Sequence, residues 1–248
     1  MITLGIDIGG SAIKGALVDL DQGKLVSERV RYETEPLFKP RVAAELVEKI
    51  RKKLDYHGVI GVGYPGDVKK GIAYTAANLH KNWIGTDIAQ LLSTQTGQPV
   101  TVINDADAAG LAEMRFGVED AHLYKTVFFL TVGTGIGSAI FVDGHLLPNT
   151  ELGHLEVRGE EAEHRASDAV RRQKNLSWKR WGKRFTEVLK TYESLINPDL
   201  FIIGGGISSK FENYAEYLKI QTKILPAELE NLAGIIGAAM AAKEAELP

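Results

Sequence analysis

The sequence predicts an α/β fold made of two similar lobes that flank a central cleft. Strand-like apolar segments alternate with segments of helical spacing along the 248 residues, which is typical of sheets covered by helices. Segments 4–26 and 129–147 also share one order of features, namely strand, glycine turn, strand and acidic turn. Such internal similarity indicates a repeated structural unit. The aligned residues are Asp7 with Thr131, Gly9 with Gly133, Val18 with Val142 and Asp19 with Asp143.

The individual elements follow from hydrophobic periodicity and turn residues. Apolar or alternating runs predict strands at 2–8, 16–20, 25–34, 58–63, 99–103, 125–132, 138–142 and 199–203. Apolar residues at helical spacing predict helices at 40–54, 86–96, 106–116, 165–195 and 233–246. We expect the first lobe to comprise residues 1–104 with the helical segment 230–248 packed on it, and the second lobe to comprise 105–229.

Composition excludes several classes of protein. Hydrophobic residues make up 44% of the chain and charged residues 25%, which is ordinary for a globular protein. The chain has no cysteine, which excludes disulfides, thiolate zinc sites and a cysteine nucleophile. A net charge of −3 gives no general attraction for nucleic acid, and no apolar run is long enough to cross a membrane. We therefore expect a cytoplasmic protein without nucleic-acid or membrane partners.

Two glycine-rich turns are candidate phosphate sites, because backbone N–H groups in such turns bind anions and the missing side chains let phosphates approach. Asp7 directly precedes the first turn. A carboxylate repels a bound phosphate unless a cation intervenes, so we expect Mg²⁺ at Asp7, bound directly or through water. Lys14 either adds a positive charge for a phosphate or is a solvated strand residue. The turn residues are Gly9, Gly10 and Ser11 in the first turn and Gly133, Thr134, Gly135 and Gly137 in the second.

Asn104 and Asp105 follow a predicted apolar strand and precede a predicted helix. The carboxyl ends of strands are where α/β proteins place ligand sites. Asp105 can therefore accept the proton of a substrate hydroxyl as a general base. The alternative is a helix N-cap, for which Asn and Asp are preferred residues, and the local sequence by itself favours that alternative. The two phosphate turns elsewhere in the chain favour the base.

Two further segments carry candidate ligand groups. Glu151, His154 and Glu156 lie just after the second hairpin, and their side chains can hydrogen-bond a polyhydroxylated ligand. A metal site is the competing interpretation, although the usual cysteine partners are absent. The segment Gly204, Gly205 and Gly206 follows a predicted strand and can form a binding site for a nucleotide or another anion. The alternative is that these glycines allow tight packing of the strand on a helix.

Seven basic residues occur between positions 171 and 184 with no acidic residue among them. A solvated helix face is the ordinary interpretation of such a run. In a chain that is otherwise slightly acidic, the run also predicts a local positive field that suits a polyanion. Trp178 and Trp181 fall within the run, and we expect them to pack on the core. The basic residues are Arg171, Arg172, Lys174, Lys179, Arg180, Lys183 and Arg184.

Taken together, these segments resemble the ROK family of sugar kinases, in the actin-like ATPase superfamily, and within it the polyphosphate glucokinase branch. GIDIGGSAIKGALVDLDQGKL is similar to the first phosphate motif of the family, and VINDADAAGLAE is similar to its catalytic segment. TAANLHKNWIG resembles the sugar-binding segment, and LFIIGGGIS resembles the nucleotide or polyphosphate loop. LTVGTGIGSAIFVDGHLLPNTELGHLEVRGEEAEHRAS resembles the second phosphate motif with the hexose-binding stretch. The resemblance covers essentially the whole chain.

The resemblance implies a role for each matching residue. Asp105 is implied as the general base on the 6-hydroxyl of a hexose, with glucose as the expected substrate. Mg²⁺ is implied as cofactor, inorganic polyphosphate and/or ATP as phosphoryl donor, and a homodimer as the assembly. The implied sugar ligands are Gly66, Asn78, Asn104, Glu151, His154 and, more weakly, Glu156. The implied phosphate ligands are Asp7, Gly9, Gly10, Ser11, Lys14, Gly133, Thr134, Gly135, Gly137, Gly204, Gly205 and Gly206.

The chain departs from the wider family at one point. Most members carry a cysteine-rich zinc segment after the ELGH motif, whereas here the chain continues LEVRGEEAEHRAS. His154 is therefore expected to contact sugar, and no zinc site is expected. Three alternatives remain open, namely an ATP-dependent kinase for mannose or fructose, a sugar-responsive transcription regulator and a non-catalytic sugar sensor. The regulator is disfavoured because repressors of the family carry an N-terminal DNA-binding domain, and a phosphate motif that begins at residue 3 is expected to leave no room for one.

Overall fold

The computed structural model describes residues 1–76 and 79–245. The strands are β1 Ile2–Ile8, β2 Ala12–Asp19, β3 Lys24–Leu25, β4 Val30–Glu33, β5 Ile60–Tyr64, β6 Val68–Lys69, β7 Ile72–Ala73, β8 Val100–Asn104, β9 Thr126–Val132, β10 Ile136–Val142, β11 His145–Leu147, β12 Glu156–Val157, β13 Glu160–Glu161, β14 Leu200–Gly204 and β15 Lys223–Pro226. The helices are α1 Pro40–Lys53, α2 Ile88–Thr96, α3 Asp105–Phe116, α4 Ala162–Ala166, α5 Asp168–Gln173, α6 Trp178–Ile196 and α7 Ala233–Glu244. None of the helices in these described ranges is long and apolar enough to span a bilayer.

The chain divides into two compact units. The first comprises Met1–Ala112 and the segment from Leu232 onward, and the second comprises Glu113–Asn231. The first unit thus includes the beginning of α3, whereas the border expected from the sequence precedes α3. The second unit is one uninterrupted stretch of chain, and the first unit is formed by the two stretches on either side of it.

The first unit is built on a six-stranded sheet in the order β3-β2-β1-β5-β8, with β4 also paired to β2. β1, β5 and β8 run parallel, and β2 is antiparallel to β1. Parallel strands are usually covered on both faces, and here Leu4, Ile6 and Ile8 join one core with α1 and α2. The alternate residues of β1 face α7 instead, because strand side chains alternate between the two faces.

Glycines bring α7 unusually close to this sheet. A Cβ atom built on Gly5 in β1 would lie 1.9 Å from the carbonyl oxygen of Ile235, and one on Gly61 in β5 would lie 1.7 Å from the carbonyl oxygen of Ala238. On the helix itself, a Cβ atom at Gly237 would lie 1.6 Å from the carbonyl oxygen of Ala108 in α3. Backbone therefore packs on backbone at these points, and only glycine fits there.

The second unit has a five-stranded sheet in the order β11-β10-β9-β14-β15. β9, β14 and β15 run parallel, and β10 is antiparallel to β9. Phe128, Leu130 and Phe201 of this sheet pack with the apolar face of α6 around the buried Trp181 and Phe185. Burying these large side chains contributes on the order of 2 to 3 kcal/mol each in transfer free energy.

The two sheets repeat one plan, as the sequence similarity predicts. Each begins with a hairpin, carries a short third strand on one side of it and two parallel strands on the other. The turns differ by one residue. The first hairpin pairs Ile8 with Ile13, whereas the second pairs Val132 with Ile136, so that its turn is shorter. Gly9 N–H donates to the carbonyl of Ala12 at 3.0 Å in the first turn, and Gly133 N–H donates to the carbonyl of Gly135 at 3.0 Å in the second.

The strand predicted at 25–34 is interrupted in the structure. β3 pairs with the far end of β2 and β4 with its near end, and residues 26–29 lie between them. The backbone N–H of Leu17 donates to the Ser27 hydroxyl at 2.9 Å. The Ser27 hydroxyl therefore takes the place of a backbone carbonyl as the hydrogen-bond acceptor for β2. This interrupts the regular strand pairing along β2 between β3 and β4.

Glu113 is fully buried in the second unit, next to the point where the chain enters it. Its carboxylate accepts hydrogen bonds from the backbone N–H groups of Glu228 at 3.0 Å and Leu229 at 2.8 Å. Burial raises the pKa of Glu113, and the two backbone donors oppose that rise. Since residues 228 and 229 directly precede the point where the chain leaves the unit, one carboxylate fastens the beginning of the unit to its end.

Candidate functional site

In the first unit, the candidate residues Asp7, Gly66, Asn104 and Asp105 lie at one edge of the sheet. Asp7 is next to the last residue of β1 and is paired with Gly63 of β5, while Tyr64 of β5 is paired with Asn104 of β8. The carboxyl ends of three parallel strands therefore bring these groups to the edge where α/β proteins bind ligands. The sequence placed each residue at a strand end, and the parallel register gathers them.

Asn104 is the residue that caps α3. It is buried, and its side-chain oxygen accepts hydrogen bonds from the backbone N–H groups of Ala106 at 2.8 Å and Asp107 at 3.0 Å. The N-cap of α3 is thus Asn104 and not Asp105, for which the cap was the alternative interpretation. Asp105 is the first residue of the helix and is half-buried.

Gly66 connects Asn104 to the loop after β5. Its carbonyl accepts a hydrogen bond from the Asn104 side-chain amide at 3.2 Å. A Cβ atom at Gly66 would lie 2.8 Å from the Thr75 hydroxyl, so a larger residue would displace that side chain. The Thr75 hydroxyl accepts a hydrogen bond from the N–H of Asp67 at 2.8 Å and so closes the loop. Gly66 therefore holds Asn104 in place through its backbone.

Asp7 forms an ion pair with Lys14, across the first hairpin. The Lys14 Nζ atom lies 3.2 Å from Asp7 Oδ2, and both side chains are 21% exposed. Asp7 also lies beside the first turn of α7, since a Cβ atom at Gly234 would be 3.6 Å from its carboxyl carbon. A carboxylate is stabilised both by the ammonium group and by the amino end of a helix. Lys14 is therefore paired with Asp7 and is not a fully solvated strand residue, and Mg²⁺ at Asp7 stays a prediction.

In the second unit, Glu163 lies against the second glycine turn. Its Oε2 atom accepts a hydrogen bond from the N–H of Ile136 at 3.3 Å, and a Cβ atom at Gly135 would lie 2.3 Å from it. A carboxylate thus occupies a position beside the backbone N–H groups that were expected to bind phosphate. A Cβ atom at Gly133, in contrast, would meet nothing within 4 Å.

The ELGH segment forms a short 3-10 turn, Leu152–His154, next to the same glycine turn. A Cβ atom at Gly153 would lie 2.0 Å from the carbonyl oxygen of Ile136, which fixes the turn against β10. The Tyr192 hydroxyl donates to the carbonyl of Leu152 at 2.7 Å. Glu151 directly precedes this turn and His154 ends it, so the fold brings both candidate sugar ligands close to the glycine turn.

His154 lies among carboxylates that the sequence analysis did not include. Its Nδ1 atom is 3.1 Å from Glu161 Oε2, and ligand atoms of His154, Glu161 and Glu163 lie within 4.8 Å of one another. One imidazole and two carboxylates are side chains that can coordinate a divalent metal ion. The expected absence of a zinc site therefore stays a prediction. Glu156 is exposed and lies opposite Glu161 in the β12–β13 ladder.

The hydrogen bond with Glu161 raises the pKa of His154 above its usual value and outweighs the opposing effect of partial burial. We therefore expect Glu161→Gln to lower the pKa of His154 toward about 6.5, the value of an unperturbed imidazole. An NMR titration of the His154 ring measures this directly. Because the folded-state pKa is raised, the stabilisation from His154 is present below pH ~6.5 and is lost as the pH rises through the higher folded value.

Glu156→Gln is the matched control for this titration, since it removes a nearby carboxylate that does not hydrogen-bond the ring. The pKa of His154 should not change in that variant. A pKa that is equally high in wild type and Glu161→Gln would contradict the assignment of the shift to Glu161.

The third glycine segment divides into packing residues and one open position. Gly204 ends β14, and a Cβ atom there would lie 2.8 Å from the Phe129 ring. Gly205 has a φ of 78° and lies against the backbone of Val132, where a Cβ atom would be 2.6 Å from a carbonyl oxygen. A Cβ atom at Gly206 would meet nothing within 4 Å. Gly204 and Gly205 are thus explained by packing, and Gly206 leaves room for a ligand.

The basic run is less uniform than the sequence suggested. Asp168 lies just before the run and forms ion pairs with Arg171 at 2.7 Å and Arg172 at 3.2 Å. Trp181 is fully buried, and its ring N–H donates to the carbonyl of Ala166 at 2.9 Å. Trp178 stacks on Tyr214 with 5.6 Å between ring centres. Both tryptophans therefore pack, as expected.

The remaining candidates are placed as follows. Gly10 and Ser11 lie in the first turn, where the Ser11 carbonyl accepts from the N–H of Thr34 at 3.0 Å. Gly137 lies in the β9–β10 ladder opposite Thr131. Asn78 lies outside the described residues. Glu161 and Glu163 were missed, although their signal is present in the sequence as the acidic segment EEAE shortly after ELGH.

Comparison with known proteins gives a consistent result. The family model described as ROK family matches residues 3–168. A polyphosphate glucokinase of Mycobacterium tuberculosis is 47% identical over 238 residues, which is 96% of this chain and 89% of that protein. The crystal structure of an inorganic polyphosphate/ATP-glucomannokinase from Arthrobacter sp. strain KM superposes with a TM-score of 0.94 at 44% identity and covers 99% of each chain.

A ROK family glucokinase from Streptomyces griseus, solved with glucose and AMPPNP, has a TM-score of 0.82 at 22% identity and covers 98% of this chain and 100% of its own. At that identity the likeness shows the fold alone, and it confirms the predicted α/β fold class. With a family model that matches most of the sequence and with relatives of nearly half identity along its whole length, the chain belongs to the ROK family.

Proposed function

We propose that this protein transfers a phosphoryl group from inorganic polyphosphate or ATP to the 6-hydroxyl of glucose. The observation that carries the proposal is the 47% identity, over 96% of the chain, to a protein named polyphosphate glucokinase. The geometry at the end of β8 supports it, because Asn104 serves as the cap and Asp105 presents a half-buried carboxylate at a ligand-binding edge.

In the proposed reaction, Asp105 accepts the proton of the sugar 6-hydroxyl as the oxygen attacks the terminal phosphorus of the donor. A positioned carboxylate of this kind typically contributes about 10²- to 10⁴-fold to the rate. The buried Asn104, fastened to Gly66, fixes the start of α3 and hence the position of Asp105. The proposed sugar ligands are Gly66, Asn78, Asn104, Glu151, His154 and Glu156.

The groups that we propose for donor binding are the glycine turns of each unit and, in the first unit, the Asp7 side chain. The open positions at Gly133 and Gly206 leave space in which phosphate oxygens can approach backbone N–H groups. One carboxylate, with phosphates and water, suits Mg²⁺, so Asp7 fits as the protein ligand of that ion. When bound, Mg²⁺ would neutralise charge on the transferred phosphoryl group. Lys14 holds the Asp7 carboxylate in place and adds a positive charge beside the first turn.

The test is formation of glucose 6-phosphate with Mg²⁺ present, with polyphosphate and ATP compared at equal phosphoryl concentration. Turnover with either donor that depends on glucose supports the proposal. A glucose-binding protein without turnover on either donor would instead be a non-catalytic sugar sensor, and the proposed activity would be wrong. Omission of Mg²⁺ should abolish turnover, and retained activity in EDTA would contradict the role given to Asp7.

A kinase for a second hexose is a further candidate, and the glucomannokinase name of the 44% identical structure favours mannose. The ratio of kcat/KM for glucose to that for mannose decides between a glucose-specific and a dual enzyme. Localisation in the cytoplasm, which the composition leads us to expect, and assembly as a homodimer, which the family resemblance implies, are also part of the proposal.

A further inference from the structure

The corner formed by α5 and α6 carries a dense positive surface, made of Arg172, Lys174, Lys179, Arg180 and Lys183 and named here the α5–α6 surface. All five side chains are exposed. No acidic residue occurs between Asp168 and Glu187 in the sequence. Arg172 shares Asp168 with Arg171, and no ion pair within residues 1–76 and 79–245 engages the other four members. The surface therefore has excess positive charge and no internal partner for it.

This surface lies over a cluster of packed aromatic rings. Arg171 lies over the Trp178 ring at 4.0 Å, and the same ring packs edge-on against Trp181 at 5.7 Å between centres. The Ser177 hydroxyl caps α6 by accepting the N–H of Arg180 at 3.3 Å. The aromatic rings of this corner are used in packing and offer no exposed stacking platform. Single-stranded nucleic acid usually needs such a platform, so the corner is suited to a polyanion without bases.

The α5–α6 surface is connected to the second glycine turn by a direct hydrogen bond. The N–H of Ala169, in the first turn of α5, donates to the carbonyl of Gly133 at 3.0 Å. α5 is six residues long, which corresponds to about 9 Å along its axis. The surface thus begins within about one short helix of the turn that is proposed to bind phosphates.

We propose that the α5–α6 surface binds the distal phosphates of a long polyphosphate chain whose reactive end lies at the second glycine turn. The inference rests on the proposed function. It assigns polyphosphate to a surface that ATP does not need. Polyphosphate continues as a chain of charges beyond its reacting end, and flexible polyanions bind such basic surfaces with release of counterions. ATP ends in a nucleoside after three phosphates and has no charges to place there.

The first test is charge reversal at two members of the surface, Lys179→Glu with Lys183→Glu. We expect the KM for long-chain polyphosphate to rise on the order of tenfold, because a basic surface concentrates an anionic substrate near its site. The KM values for ATP, tripolyphosphate and glucose should remain those of the wild type. Loss of two phosphate contacts should also lower the slope of log KM for polyphosphate against log salt by about 1.4, at about 0.7 for each contact with a flexible polyanion.

Lys190→Glu is the matched control for the single variant Lys183→Glu. Lys190 is also exposed on α6, two helical turns further along and beyond Glu187. The polyphosphate KM should change in Lys183→Glu and not in Lys190→Glu. An equal effect of both variants, or an equal effect on ATP and polyphosphate, would overturn the inference, as would no effect in the double variant. Thermal melting of each variant shows whether it is folded.

The result also distinguishes this inference from the proposed function. Wild-type enzyme that phosphorylates glucose with ATP and not with polyphosphate would leave the kinase activity standing and would overturn the α5–α6 assignment. Tight binding of an oligonucleotide that the double variant loses, with polyphosphate kinetics unchanged, would assign the surface to nucleic acid and overturn the inference as well. Absence of turnover with either donor would contradict the proposed function itself.

Discussion

Replacing Asp105 by asparagine should lower kcat for glucose phosphorylation by about 10²- to 10⁴-fold while leaving glucose binding nearly unchanged. Asparagine has almost the same size as aspartate and can hydrogen-bond the sugar, but it cannot accept the hydroxyl proton. Asn104, which caps α3 through its own side chain, is unaffected by the change, so the fold around position 105 should persist. Steady-state kinetics and calorimetric titration of glucose measure the two quantities separately.

Asp143→Asn is the matched control for this variant. Asp143 is exposed in the turn after β10 and has a φ of 50°, a conformation that asparagine adopts readily. It should have wild-type kcat and stability. Near-normal turnover in Asp105→Asn would show that Asp105 is not the base, and loss of glucose binding in that variant would mean that the carboxylate acts chiefly in substrate binding.

Gly61→Ala should strongly destabilise the first unit. The added Cβ atom would lie 1.7 Å from the carbonyl oxygen and 2.3 Å from the carbonyl carbon of Ala238 in α7. Neither atom belongs to a flexible side chain, so β5 and α7 must separate along their length. Overpacking of this kind costs about 1 to 3 kcal/mol and more when backbone has to move, and we expect a loss of about 3 kcal/mol or more.

Gly63→Ala provides the comparison within the same strand and on the same face. The nearest atoms to a Cβ atom at Gly63 are 3.7 Å away, which is an ordinary van der Waals distance. Its effect on the free energy of unfolding should stay below about 1 kcal/mol. The midpoint of urea denaturation measures both variants, and equal midpoints would mean that α7 is not held as closely to β5 as described.

The repeated hairpin could be predicted from sequence because its determinants are local. Alternation of side chains sets the strands, and glycine and acidic residues end them, so the pattern predicts both hairpins without any tertiary contact. The start of β2 differs, since the pattern predicts a strand from residue 16 and β2 begins at Ala12. β1 and β9 begin 124 residues apart, at residues 2 and 126, which is the offset of Asp7 from Thr131 (131 minus 7). The positions of Asn104 and Asp105 at a strand end followed in the same way.

The features that the sequence did not reveal all depend on tertiary approach. Glu163 reaches the second glycine turn because α4 packs beside β10, and no local pattern specifies that contact. The cap of α3 could have been either Asn104 or Asp105 by propensity, and the buried contact of Asn104 with Gly66 decides it. The basic run is predicted from charge alone, whereas in the structure Asp168 pairs with Arg171 and Arg172 and so offsets part of the positive charge of the run.

The route of the chain also has a consequence for biosynthesis. Gly5 and Gly61 pack against α7, and this helix is translated only after the whole uninterrupted stretch Glu113–Asn231. Domains generally fold as units during synthesis, so the second unit can complete its sheet on the ribosome while the first still lacks a helix over one face. The second unit should therefore finish folding before the first unit, although the first unit contains the start of the chain. Until α7 is made, the uncovered face of β1 and β5 is the surface that a chaperone would meet on the nascent chain.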